Sequence, residues 1–214
     1  GIFSMIYFGV IALRRDDFKT LLAFASASHL GLLLAGVFSL DVVGMSGALY
    51  QIIAHALTSG AMFLMVGIIS AQLGTRKISQ LGGIAHKAPV FATLFGIMML
   101  SSVGLPTTIG FVAELLILVG LFKTNLIYGI IATTSIIVGA VYMFVVYRKA
   151  ILQSVGSVTD KFKELSKSQI LGFGFVAIII FVMGIYPKTF LDLSENTVQN
   201  HYEKYIKSNL KEHK

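Results

Sequence analysis

Three ionisable side chains, His29, His55 and Glu114, stand deep inside long apolar stretches of this chain. Ionisable groups in hydrocarbon are costly and rare, and where they occur they face polar partners or a wet cavity. Their types point to proton exchange. Imidazole binds and releases a proton near neutral pH, and a carboxyl group beside it can take that proton on. Glu114 also follows a Gly104-Leu105-Pro106 interruption, with Gly110 between them, inside the apolar run from Pro89 to Phe122. One straight helix over that run would measure about 50 Å, against a hydrocarbon core of roughly 30 Å. It therefore tilts or breaks, and Pro106, which lacks an N–H and clashes with the preceding turn, is where it would break. A broken helix frees backbone C=O and N–H groups that can hold water or a side chain.

Each feature alone has a plainer reading. A single intramembrane histidine can simply hydrogen-bond a neighbouring helix, Glu114 can pair with a basic residue and serve packing, and proline is common in membrane helices. Lys19 sits at the end of an apolar stretch, where a long cation ordinarily reaches for the interface; it stands as an accessory candidate. What favours a proton path is the coincidence: His29, His55 and Glu114 as carriers, beside a break made by Gly104, Pro106 and Gly110.

The elements that must position them follow from composition. Of 214 residues, 56% are hydrophobic and 13% charged, well short of the roughly one quarter charged in soluble domains. The apolar runs are long and do not alternate, which predicts helices rather than a membrane barrel. The fold class is an all-α integral membrane bundle of about six spans, near 1–14, 18–40, 43–72, 88–122, 126–147 and 169–187, the fourth of them broken at Gly104–Gly110. A hydrophilic tail follows over 188–214, with Val198, Tyr202, Tyr205 and Ile206 at roughly helical spacing. The basic residues fall between the spans. Placing 14–19, 73–87 and 148–168 on the inner side collects most of the short-loop Lys and Arg there, and leaves one Lys in the opposite loops around Asp41 and 123–125. That satisfies the positive-inside bias and puts the tail outside. The net charge of +7 is thus topological, and no nucleic-acid partner is expected.

Other chemistries lack their signatures. There is no H-E-x-x-H, no Walker loop and no G-x-S-x-G, and Gly82-Gly83 has no following Lys-Ser/Thr. The chain contains no cysteine, so thiolate metal sites and disulfides are absent. No metal and no bound cofactor is expected, only lipid around the bundle.

Several segments together carry a resemblance. The run from Asp17 to Gly31, DFKTLLAFASASHLG, is similar to the D-x-K-x-L-[IL]-A-[YF]-x-S-x-S-H-x-G segment of the antiporter-like membrane subunits of respiratory complex I. Gln51-Ile52-Ile53-Ala54-His55-Ala56-Leu57 resembles their M-I-[AS]-H-[GA]-L. Thr75-Arg76 with Gly82-Gly83 resembles their T-R…G-G loop. The stretch from Gly104 to Glu114 is similar to their G-[LM]-P-x-[TS]-x-x-F-[VL]-[GA]-E. Gly74 departs from the His that relatives often carry before Thr-Arg. The four segments come in family order and reach to about Arg148. Glu114 sets the likeness apart from the sister branch that carries Lys there.

The resemblance implies a subunit of an H⁺-translocating NADH:ubiquinone reductase that holds no redox centre itself; FMN, iron–sulfur clusters and quinone are expected elsewhere in that complex. It implies that His29 and His55 belong to a central hydrophilic axis and that Glu114 is the acidic end of a proton path. It covers the last five helices and part of a sixth of a fold with two inverted five-helix repeats. The first repeat, with its Glu and two central Lys, is then expected from a companion chain or an upstream stretch. Implied partners are other complex I membrane subunits, including neighbouring antiporter-like ones. The implied location is the mitochondrial inner membrane, with the bacterial plasma membrane as the alternative. A subunit of a multi-subunit cation/proton antiporter, or a membrane subunit without transport, are the readings that remain beside it.

Overall fold

The computed structural model describes residues 1–156 and 158–207. Nine α-helices run in order among them: α1 Ile2–Leu13, α2 Phe18–Val37, α3 Val42–Leu73, α4 Ile84–Lys87, α5 Pro89–Ser102, α6 Ile109–Thr124, α7 Leu126–Tyr147, α8 Lys167–Ile185 and α9 Pro187–His201. Four stretches are long and apolar enough to cross a membrane: α2, α3, α7 with the π turn that extends it to Leu152, and α8. α1 and α5 are apolar but shorter.

Local chemistry sets the boundaries. Asp17 caps α2 by accepting from the Thr20 N–H at 2.8 Å, and Asp41 caps α3 by accepting from Val43 and Gly44 at 2.9 and 3.2 Å. Asn125 caps α7, and Ser166 with Gln169 forms a reciprocal capping box on α8, each supplying an acceptor to N–H groups that lack an intrahelical partner. α3 stops at Gly74, which takes the left-handed φ of 67°. Pro89 and Pro187 occupy the first turns of α5 and α9, where a missing N–H costs nothing.

The expected 88–122 span is two helices. α5 closes at Gly104 in a Schellman turn: its φ is 72°, its N–H reaches the Ser101 carbonyl at 3.3 Å, and the Leu105 N–H reaches the Leu100 carbonyl at 2.9 Å. The interruption covers residues 103–108, and Gly110, expected within it, already belongs to α6. Pro187, expected to end the last span, opens α9. That segment is helical, and of the expected row Val198 is buried and Tyr202 half-buried. The side chains of Tyr205 and Ile206, and residues 208–214, lie outside the described residues.

The three basic connections meet at one end of the bundle. The Phe18 N–H donates to the Arg76 carbonyl at 2.9 Å, and the Ile78 N–H to that of Asp16 at 2.7 Å. Glu164 accepts from the Val90 and Phe91 N–H groups at 2.8 and 3.0 Å, and Lys87 pairs with Asp160 at 2.8 Å. At the opposite end Lys123 pairs with Asp41 at 3.6 Å, and the Thr124 hydroxyl donates to the Ser39 carbonyl. The alternation read from charge is thus the alternation in space.

Small residues bring the helices together. A Cβ on Gly120 would strike the backbone of Gly44, and one on Gly47 would lie 2.7 Å from the Ile117 nitrogen, so α3 and α6 cross in backbone contact. Close approach of this kind replaces the hydrophobic drive that lipid removes. Leu30, Ile52, Ile137, Leu171 and Phe175 are exposed on the outer surface, as lipid-facing side chains are.

Candidate functional site

α2, α3 and α6 converge near the middle of the bundle. α2 presents His29, α3 presents His55, and α6 turns Glu114 back towards the break. The His29 Nδ1 lies 3.5 Å from Glu114 Oε1, ion-pair distance when the imidazole is protonated. The His29 and His55 rings are 5.7 Å apart between centroids. The three residues form a lateral row in the order His55, His29, Glu114.

The break makes room for the acid. A Cβ on Gly104 would sit 2.6 Å from Glu114 Oε2, and one on Gly110 would strike the Ser101 carbonyl. Glycine is therefore required at 104 twice over, by its positive φ and by the carboxylate pressed against it. Glu114 is 5% exposed. Pro106 lies exposed within the break. A Cβ on Gly184 of α8 would strike the Thr107 carbonyl, so α8 braces the loop from behind.

Two small chambers flank the row, each leaving about 20 Å³ for the centre of a water molecule, against the ~10–15 Å³ that one water needs. The first is lined by His55, His29 and Glu114 together with Gln51, Ser59 and Ser101. Gln51 Oε1 and Ser101 Oγ are buried with no protein hydrogen-bond partner, and buried polar atoms of this kind ask for water. The second lies between α1, α2 and α7 and is lined by His29, Glu114, Ser28, Ser102, Ser135 and Tyr142. His29 and Glu114 thus form the wall between two chambers sized for water.

The structure brings together His29, His55, Glu114, Gly104 and Gly110. It does not bring Lys19, which is exposed and lines an apolar groove between α3 and α8 with Gly60, Leu64, Gln169 and Phe173. Ser101, Ser135 and Tyr142 escaped the sequence analysis, and Gln51 stood there only within the His55 segment, not as a site residue. Uncharged polar residues are ordinary in membrane helices, and only Gln51, a turn ahead of His55, carried a legible signal. No group of three or more His, Cys, Asp or Glu able to hold a metal occurs among the described residues.

A polytopic helical bundle with a broken helix and a buried acid–imidazole row has the architecture of transporter-like membrane proteins. The model of the family described as NADH:quinone oxidoreductase/Mrp antiporter, transmembrane, matches residues 1–139. The chain belongs to that family. NADH-quinone oxidoreductase subunit M of Rickettsia prowazekii is 37% identical over 201 residues, covering 94% of this chain and 41% of the relative. NADH-ubiquinone oxidoreductase chain 4 of Arabidopsis thaliana is 34% identical, covering 92% of this chain and 40% of the relative. A chain in the structure of respiratory complex I from Thermus thermophilus with bound NADH superposes with a TM-score of 0.88 at 32% identity, covering 94% of this chain and 43% of that one. A chain of the Mrp complex from Dietzia sp. shares the fold at a TM-score of 0.85 and 19% identity. The chain spans about two fifths of the length of the curated relatives it matches.

Proposed function

We propose that this chain forms the part of a proton-translocating membrane-arm subunit of respiratory complex I in which the proton is handed to its last buried acid. The observation that carries the reading is the His29–Glu114 pair at 3.5 Å, held against Gly104 in the break. A proton on His29 makes the pair neutral, and moving it to Glu114 leaves a neutral imidazole and a neutral acid. Both states avoid an isolated charge in hydrocarbon, which suits a relay. His55, one ring away, supplies or withdraws the proton through the first chamber, and Gln51 and Ser101 hold the water there.

In this reading the chain carries no redox group; electron transfer through FMN, iron–sulfur clusters and quinone takes place on other subunits. Other complex I membrane subunits surround it, including neighbouring antiporter-like ones. The helices that relatives carry ahead of the matched region come from the same polypeptide or a companion chain. The complex lies in a mitochondrial inner membrane or a bacterial plasma membrane, with α9 on the outer side. Co-purification with NADH dehydrogenase activity separates this from an Mrp-type antiporter.

Glu114→Gln in the assembled enzyme tests the site. The amide fills the same space and cannot carry the proton, so quinone-linked proton transfer falls to a small fraction while assembly persists. Near-normal pumping would remove Glu114 from the path.

A further inference from the structure

The second chamber has a neighbour that the relay does not use. At the basic-loop end a crevice leaves about 250 Å³ for the centres of water molecules and is lined by Arg14, Arg15, Asp16, Leu21, Val146 and Lys149, among others. It runs down to Tyr142. The chamber on the other side of Tyr142 reaches Glu114 and His29. Among the described residues lining these two cavities, Tyr142 alone lines both. It is 2% exposed.

We propose that Tyr142 is the barrier that keeps the Glu114 chamber closed to water at the basic-loop end. The inference rests on the proton-path reading above. A proton brought to Glu114 gives useful work only if it cannot return to the side it came from. A continuous file of water from the crevice to Glu114 would let it return, because hydrogen-bonded water passes protons freely. The phenol ring interrupts that file. The ring is buried between the two cavities, so the blocking element proposed is its bulk.

The mouth adds an electrostatic barrier. Arg14, Arg15 and Lys149 line it against one acid, Asp16. That acid is occupied by Ser79, whose N–H and hydroxyl donate to it at 2.9 and 2.5 Å. Arg15 is held in place over the Phe24 ring, 5.0 Å from its centroid. Fixed cations at a narrow mouth repel hydronium, as they do in water-selective pores. The crevice therefore admits water while opposing protons, and Tyr142 closes what remains.

The test uses the assembled enzyme reconstituted into liposomes carrying an internal pH dye. Tyr142→Ala is expected to oxidise NADH yet fail to hold an NADH-driven pH gradient, and to pass protons under an imposed gradient with no NADH present. Tyr142→Phe keeps the ring, removes only the hydroxyl and is expected to hold both gradients. Adding Glu114→Gln to Tyr142→Ala is expected to stop the leak, since the route runs past that carboxylate. Should the alanine enzyme not assemble, Tyr142→Val, which retains more packing, carries the same comparison. Tight alanine or valine liposomes would overturn the proposal, and so would a phenylalanine variant that leaks as they do. Normal pumping by Glu114→Gln alone would overturn the relay instead, and the passive leak would still report on Tyr142.

Discussion

Near the Asp41 end of the α3–α6 contact, Gly44 and Gly120 bring two backbones together with no space between them. Further along, where α5 ends beside the same two helices, Gln51, Ser101 and Glu114 line a void. Both regions depend on glycine, with opposite results. At the crossing the missing Cβ lets helix meet helix. At the break it lets a carboxylate lie where a side chain would have been. One hydroxyl from each region shows the contrast. Thr124 donates to the Ser39 and Gly120 carbonyls beside the crossing, whereas Ser101 beside the void has no partner. One region is built for cohesion and its neighbour for water, so damage to each should be read by a different measurement.

The largest effect belongs to the closed region. Gly120→Leu forces a side chain into the Gly44 backbone, which cannot give way; the expected cost is about 3 kcal/mol, at the upper end of overpacking. The intact assembly is expected to disappear on native gels, and normal assembly would mean that the helices can separate at no cost. Next comes Gly104→Ala. An alanine in the left-handed region costs about 1–2 kcal/mol, and its methyl displaces the Glu114 carboxylate. The enzyme is expected to assemble with reduced proton transfer and a shifted Glu114 carboxyl band in infrared difference spectra. An unshifted band would mean that the carboxylate does not rest on Gly104.

Smaller effects sharpen the contrast. Thr124→Val removes a satisfied hydroxyl and is expected to cost about 1 kcal/mol, lowering the thermal midpoint of the solubilised complex. Ser101→Ala removes an unsatisfied one and is expected to leave that midpoint unchanged while slowing proton transfer. Equal losses from both would erase the distinction between the regions. The smallest effect lies outside the membrane. Partial burial pushes the Asp17 carboxyl up, but hydrogen bonds from Thr20 and the Arg76 guanidinium outweigh it and hold the group below its usual 3.8. Because the folded value is depressed, its stabilisation is present above the unfolded value of about 3.9 and is lost as pH falls through the lower folded one. Asp17→Asn is expected to flatten the stability profile in that acid window only, as followed by thermal melts against pH.

Much of this was legible before any coordinates. Runs of apolar residues too long for a soluble core specify membrane helices, whereas the caps at Asp17, Asp41, Asn125 and Ser166 emerged only with the structure. His29, His55 and Glu114 were conspicuous since ionisable groups in hydrocarbon need a reason. The placement of the basic residues between spans gave the ends of the bundle, and the loops indeed meet there. Lys19 stood as an accessory candidate at a span end and lies away from the row, exposed, where a cation reaching for the interface would be.

What the sequence determined by itself is the all-helical membrane class, the chemistry of the three ionisable side chains and the need for a break before Glu114, all of which follow from local rules of burial and helix geometry. What only the tertiary structure decided is adjacency. The 3.5 Å approach of His29 to Glu114, the orphaned oxygens of Gln51 and Ser101, the brace at Gly184 and the position of Tyr142 between two cavities depend on how helices distant in sequence cross. Those crossings are set by the sum of many small side-chain contacts, and no single stretch of residues encodes that sum.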